Sequence, residues 1–384
     1  MHILEIPSFF PPHGGLFCLE QAKALAARGH EVRIISCVQL GISIDKAFYL
    51  KARHDYWWDE MEGIKVMHHY QRGIPKMVHL NISRWCRNIY KMYCEYVKRY
   101  GKPDVIHAHC CKSAGLAARM ISEEENVPFL ITEHLSSMLY KKDFGEAWTR
   151  CKWLKELMKE TYQKASCVIT VSDELVDDVK QFFGDSYRRQ TVSNTVDTDF
   201  FAYKEREPLT QERPFRFCCI AVPNVHLKGY DVLAEAIRDI PDCELHIAGV
   251  DGDKNAVTDL FADCDNVFFH GRLNKEGIRT LLYDSDALVL ATRSEVQPLV
   301  VLEAMSTGIP VVSTEAIPQS ERVLGACTIV PIGDAKALHD AMIAAISRGH
   351  DYDGQMFHDA VVSLASPSVI AATLESIFEK YARE

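Results

Sequence analysis

Residues 294–314 read SEVQPLVVLEAMSTGIPVVST. The apolar run Ala287–Leu290 just ahead has the length of a buried strand. Pro298 is placed for the first helical position, and Gly308 follows a helix that would run to about Thr307. Strand character resumes at Ile309–Ser313. Strand, loop, helix and strand in so short a space is the unit of a parallel sheet covered by helices. Glu295 falls in the loop, and Glu303 about a turn and a half into the helix. Both carboxylates can accept hydrogen bonds from hydroxyls of one ligand, at different ends of it. The helix N-terminus between them offers free N–H groups to phosphate oxygens.

The same alternation extends outward on both sides. Toward the C-terminus comes Cys327–Val330. Toward the N-terminus lie Val267–His270, Glu244–Ala248 and Phe217–Ala221. Ahead of these, 197–214 is polar, carries two prolines and lacks periodicity, so it reads as a linker. A second series precedes it: His2–Ile6, Glu31–Cys37, Val105–His109, Phe129–Glu133, Cys167–Val171 and Arg189–Ser193. Helical patterns such as Leu19–Ala27, Leu116–Glu124 and Glu174–Phe183 separate those strands. The chain has 384 residues, more than one core usually serves. The expected architecture is α/β, with two tandem doubly wound Rossmann-like domains at 1–196 and 215–366. A terminal helix at 367–384 would be free to pack back on the first domain.

Composition narrows the function. Residues 1–200 carry 27 basic and 25 acidic side chains, and the remainder 16 and 28. An acidic second half argues against nucleic acid as the main ligand. The 13 cysteines include no C-x2-C pair, so neither a zinc site nor a disulfide framework is expected, and a reducing cytoplasm fits. No apolar stretch reads as a bilayer span, and MHILEIPSFF lacks the basic start of a signal peptide.

In a doubly wound sheet, ligands bind beyond the carboxyl ends of the strands. Four further segments fall there. PSFFPPHGG follows the first strand, where Gly14 and Gly15 permit close backbone approach ahead of a helix N-terminus. No G-x-G-x-x-G occurs, which weakens a dinucleotide reading. VPNVHLKG follows Phe217–Ala221 and offers Lys228 as a pyrophosphate partner. His109 ends its strand at the crevice, while His107 lies deeper on the same face and reads as a core histidine. Thr132-Glu133-His134 ends another strand, where it could meet an acceptor or equally cap that strand.

These motifs resemble glycosyltransferase family 4, whose members are retaining enzymes of the GT-B fold. The family's E-x7-E motif, followed by EAM-x-x-G-x-PVV, is matched by Glu295, Glu303, Ala304, Met305, Gly308, Pro310, Val311 and Val312. Weaker matches are Gly14–Gly15, GHEV at 29–32, DVIHAH at 104–109, TVS at 170–172, NTVDTDFF at 194–201 and Lys228–Gly229. The resemblance implies two domains facing across a cleft, with a nucleotide-sugar donor, carrying UDP or GDP, on the second. Glu303 would bind the ribose, Glu295 the donor sugar and Lys228 the pyrophosphate. Pro298, Leu299 and Val300 would lie against phosphate, and Gly271, Arg272 and Leu273 against the base. His109 would face the reacting sugar. The acceptor, a glycan or a lipid-linked molecule, would meet His109, Glu133 and His134. No cofactor or metal is implied.

Three departures stand out. Pro223 occupies the place of the family's usual arginine, five residues before the lysine. Val296-Gln297-Pro298-Leu299 replaces x-F-G-L, and AIPQSE replaces GG-x-x-E after PVV. A non-catalytic nucleotide-sugar-binding protein of the same fold is the alternative that loss of the arginine favours and that retention of Lys228 and both glutamates opposes. An NAD-dependent oxidoreductase and a nucleotide-sugar epimerase are further rivals. Residues 75–102 hold seven basic side chains and one acid, interleaved with Trp85, Tyr90, Tyr93, Tyr96 and Tyr100. Such a helix can lie on an anionic membrane, here the inner face, can bind an acceptor bearing pyrophosphate, or can be a solvated helix packed by its aromatics. Trp148 and Trp153 with nearby lysines form a second such patch.

Overall fold

The computed structural model describes every residue except 12, 13, 42–48, 51, 54, 136–150, 208–212, 383 and 384. Two compact units emerge: Met1–Thr195 with Pro367–Glu384, and Val196–Ser366.

The first unit is built on β1 (His2–Pro7), a fully flanked strand whose residues after His2 are all buried. Parallel neighbours are β2 (Glu31–Leu40) on one side and β5 (Val105–His109) on the other. β6 (Phe129–Glu133), β7 (Cys167–Thr170) and β8 (Arg189–Thr191) continue beyond β5. Beyond β2 lies a hairpin absent from the sequence reading, β3 (Trp57–Met61) and β4 (Ile64–Arg72), turned at Glu62–Gly63. The eight-stranded order is β3-β4-β2-β1-β5-β6-β7-β8. Its direction of growth reverses between β1 and β5.

Helices α1 (Leu16–Ala27), α2 (Val78–Tyr100), α3 (Leu116–Glu125), α4 (Lys152–Lys164) and α5 (Asp173–Phe183) cover this sheet. A terminal helix, Pro367–Ala382, packs Ile370, Leu374, Ile377 and Phe378 into the same core as α1.

The second unit carries a fully parallel six-stranded sheet, β11-β10-β9-β12-β13-β14. Its strands are β9 (Phe215–Ile220), β10 (Cys243–Ala248), β11 (Val267–Phe269), β12 (Ala287–Leu290), β13 (Val311–Thr314) and β14 (Cys327–Val330). Here the order reverses between β9 and β12. α6 (Val225–Lys228) is a single turn that leads into α7 (Tyr230–Ile237). α8 (Lys275–Tyr283), α9 (Leu299–Ser306), α10 (Ala335–Arg348) and α11 (Gly354–Ala365) complete the unit, and α12 is the terminal helix Pro367–Ala382.

One reading of the sequence changes. The stretch read as a linker belongs, over 197–207, to the second unit. Phe201 is buried in its core, Ser306 Oγ donates to Phe201 O at 2.7 Å, and Lys275 pairs with Asp197 at 2.9 Å. Short-range polarity concealed one aromatic anchor. The run Gly354–Ala382 is, by length and apolarity, a candidate bilayer span. It is two helices, because Ser366 is extended and Pro367 cannot continue the hydrogen-bond ladder. Phe357, Val361 and Ala365 face one core, and Ile370, Leu374 and Phe378 the other.

All thirteen cysteines are free, most of them buried among apolar side chains.

Candidate active site

In the second unit, the loops after β9 and β12 emerge on either side of the strand-order reversal. The first begins with Asn224, whose side chain accepts from Leu227 N at 3.0 Å and opens the turn α6. Gly229 ends that turn at φ +66, and a Cβ there would stand 1.8 Å from Ala291 O. Only glycine lets the two loops approach so closely. Arg293 N and Thr292 Oγ1 both donate to Leu227 O, at 2.9 and 3.1 Å. Arg293 also grips Asp231 through two bonds of 2.7 Å.

This stapling brings together two residues 67 positions apart: Lys228 Nζ lies 2.6 Å from Glu295 Oε1. Both are mostly enclosed, with side chains 16% and 10% exposed. The sequence placed each separately at one ligand. The structure shows each as the other's counter-ion.

Pro298 is the N-cap of α9 rather than its first helical residue, with ψ +100, and no side chain caps the helix. The N–H groups of Leu299 and Val300 lie in the first turn, where they have no intrahelical carbonyl partner, and the macrodipole adds partial positive charge there. Glu303 is half-buried on the second turn. Gly308 takes φ +89 past the helix end, with the Tyr203 ring 2.7 Å from where a Cβ would be. On the other side of β9, Gly271 N donates to Val250 O, and Gly249 N to Gly271 O. Leu273 packs on the core and Arg272 is exposed.

The first unit concentrates polar groups at its own reversal point. In register, Glu5 pairs with His107 and Pro7 with His109, so these side chains share one face. Glu5 is wholly buried. His109 Nε2 lies 2.8 Å from Glu5 Oε2, and His107 Nδ1 lies 2.8 Å from the same oxygen, though poorly aligned for a hydrogen bond. His107 Nε2 is 2.6 Å from Thr132 Oγ1. His109 Nδ1 meets His134 Nε2 at 3.2 Å, and His134 stacks on Phe17 at 3.8 Å. Burial opposes the Glu5 charge, but the histidines outweigh it and hold the carboxyl at about 2. Burial pushes His109 down to about 4, and His134 down as well. With an ionised Glu5 accepting from His109 Nε2–H, His109 Nδ1 is left as an acceptor for His134.

Three sequence expectations are corrected here. His109, placed at the crevice, is 1% exposed, and both its nitrogens are engaged. Glu133, placed on the acceptor side, is buried and accepts from Cys111 N, Tyr162 OH, His134 N and Leu135 N. Four donors fill a carboxylate, so Glu133 braces its own loop. Gly15 has φ +80 and its Cβ would collide with Phe9 O at 2.1 Å, so the turn itself requires glycine; Gly14 has open space. Sequence reasoning missed Glu5. Its signal was an acid at the centre of HILEIP, a position flanked by strands on both sides.

Two doubly wound parallel-sheet halves, each with its polar cluster at the strand-order reversal, define the GT-B glycosyltransferase architecture. The chain belongs to glycosyltransferase family 4: residues 14–200 match the model described as Glycosyltransferase Family 4, and 214–348 that described as Glycosyl transferases group 1. A Bacillus subtilis (strain 168) protein named as a teichuronic acid biosynthesis glycosyltransferase, TuaC, is 25% identical over 334 residues, covering 82% of this chain and 81% of its own. Sucrose-phosphate synthase from Thermosynechococcus elongatus superposes with a TM-score of 0.80 at 18% identity, over the whole of both chains. Anabaena HepE, solved with UDP and glucose, superposes at 0.71 and 14% identity over 99% of each.

Proposed function

We propose that this glycosyltransferase moves a hexosyl group from a UDP- or GDP-sugar to an acceptor hydroxyl with retention of anomeric configuration, in the assembly of a polysaccharide or glycolipid. The observation that carries this reading is the Lys228–Glu295 pair, set beside the uncapped N-terminus of α9 with Glu303 one to two turns along. A donor diphosphate brings negative charge to Lys228 and to the N–H groups of Leu299 and Val300. Glu295 then exchanges part of its ion pair for sugar hydroxyls, and Glu303 receives the ribose. HepE, named with UDP and glucose, and TuaC, named for teichuronic acid, support donor and pathway class.

In the proposed step, the acceptor oxygen bonds to the anomeric carbon on the face from which the diphosphate departs. The C–O bond to the β-phosphate breaks, and the acceptor proton passes to the departing phosphate oxygen. Lys228 and the α9 amides stabilise the charge that develops on that oxygen, which is electrostatic catalysis without a required metal. His134, the outermost member of the Glu5–His109–His134 chain, orients the acceptor. Gly271, Arg272 and Leu273 flank the base.

Nucleotide release from a panel of UDP-, GDP- and ADP-sugars tests the reading. One donor should turn over, and Glu303→Ala should weaken its binding by about 1–3 kcal/mol. A second reading, a nucleotide-sugar-binding protein without turnover, is favoured by Pro223 in the usual arginine's place. Saturable binding of a donor with no nucleotide release would establish it.

A further inference from the structure

Residues 74–80, Ile-Pro-Lys-Met-Val-His-Leu, are exposed without interruption. Ile74, Met77, Val78 and Leu80 are each between 38% and 49% exposed. Contiguous apolar side chains at a surface mark a contact site, since isolated ones are the norm. The segment is also built. Buried Asn81 accepts from Ile74 N at 2.9 Å and donates to Ile74 O at 2.8 Å, and Gln71 in turn donates to Asn81 O. Lys76 takes φ +63 within this clamp. A rigid apolar knuckle thus caps the N-terminal end of α2.

Charge follows the knuckle along the helix. Met77, Leu80, Arg84, Arg87 and Lys91 fall at i+3 and i+4 spacings, on one stripe. No acidic side chain pairs with Lys76, Arg87 or Lys91 among the described residues, whereas Lys98 pairs with Glu95. Three of the five aromatic residues expected to anchor this helix to a surface do not. Trp85, Tyr93 and Tyr96 are buried in the first unit, and Trp85 Nε1 donates to Cys37 O. Trp148 lies outside the described residues, and Trp153 packs edge-on against His79.

We propose that 74–80 is a wedge that enters the interfacial layer of an anionic bilayer, with Lys76 and Arg87 at the phosphate level. The distribution decides the pose. A helix lying flat exposes apolar residues along its whole length. Here they occur only at one end, so α2 meets the surface tip-first. At 1.5 Å per residue, Arg87 stands roughly 10 Å above Leu80 and Lys91 roughly 16 Å above it. Arg87 then reaches the headgroups, and Lys91 lies in the surface potential. An apolar tip with a cationic collar fits anionic lipid, which offers both a hydrocarbon boundary and phosphate. The inference does not depend on which donor the enzyme uses.

Flotation of the full chain with vesicles tests it, comparing phosphatidylcholine alone with phosphatidylcholine containing phosphatidylglycerol. Two triple variants are compared: Met77→Ser, Val78→Ser, Leu80→Ser and Lys76→Glu, Arg87→Glu, Lys91→Glu. The wild type should float only with the anionic vesicles, and each variant should bind at least about tenfold more weakly. Unchanged melting temperatures would separate this loss from misfolding, since every substituted side chain is exposed. Separately, Leu80→Trp should give a blue-shifted emission on anionic vesicles. Equal flotation of variants and wild type would overturn the proposal. So would a wild type that floats with neither vesicle. If the wild type self-associates in sedimentation and the serine variant alone does not, the knuckle is a contact between copies of the chain instead.

Discussion

Lys228 Nζ and Glu295 Oε1 are 2.6 Å apart, contributed by loops that follow different strands. Each is the other's counter-ion, so removing one changes the charge that the other presents to a ligand. The two single variants should therefore diverge. Lys228→Ala removes the cation and should weaken both free UDP or GDP and the donor, with turnover falling by roughly 10²–10³. Glu295→Ala releases the lysine and should leave binding of the free nucleotide equal or tighter, while sugar transfer is lost. Calorimetric titration with the nucleotide and with its sugar checks this. Parallel losses in both variants would refute separate roles.

Glu303 has the simpler task in the proposed donor site. Glu303→Ala should cost about 1–3 kcal/mol of donor affinity, the value of hydrogen bonds to a charged acceptor. The melting temperature should change little. A 2′-deoxyribose donor should bind wild type and variant alike.

The carboxylate of Glu5 fixes the tautomer of His109, and through it the proton on His134. Glu5→Gln keeps the shape but removes the charge that holds Nε2–H. It should lower kcat with little change in donor KM, and should raise the share of the other His109 tautomer in nitrogen NMR. Glu5→Ala also leaves buried histidine N–H groups without their acceptor and should destabilise the unit by about 3 kcal/mol or more. A Gln variant with wild-type kcat would show that the network serves stability alone.

Acid should unfold the first unit early. His109 stays neutral down to about pH 4 when folded, against an ordinary value of 6.5. Between those values the unfolded chain takes up a proton that the folded chain refuses. Stability is therefore full above about pH 6.5 and lost as pH falls toward 4, by about 3 kcal/mol from this residue. Glu5 adds a further loss from 4.5 down to about 2, because its folded carboxyl is depressed. Denaturant melts across pH 4 to 7 check the slope, which should flatten in His109→Gln.

Gly229→Ala should destabilise the second unit by several kcal/mol, since φ +66 is unfavourable for alanine and its Cβ would overlap Ala291 O. Thermal melts measure it. A shift of only a degree or two would mean that the loops can part.

Much of this was legible in the sequence, because parallel strands buried on both faces read as continuous apolar runs. Val105–His109, Phe129–Glu133 and Ala287–Leu290 begin and end where expected. The β3–β4 hairpin was not legible: an edge strand such as WWDEM mixes aromatic and acidic residues without alternation. The Lys228–Glu295 bond joins positions 67 apart, and nothing in spacing reveals it. Glu133 looked available because its four donors are backbone and tyrosine groups supplied by the folded loop. Glu5 was passed over within a strand, although a charge at such a position demands a buried partner.

The contact between Gly229 and the Ala291 carbonyl has a thermodynamic consequence for the donor. Loops that interlock as the sheet forms have already surrendered their freedom, so a ligand arriving later does not have to order them. Binding should accordingly show a small unfavourable entropy and a rate limited by encounter.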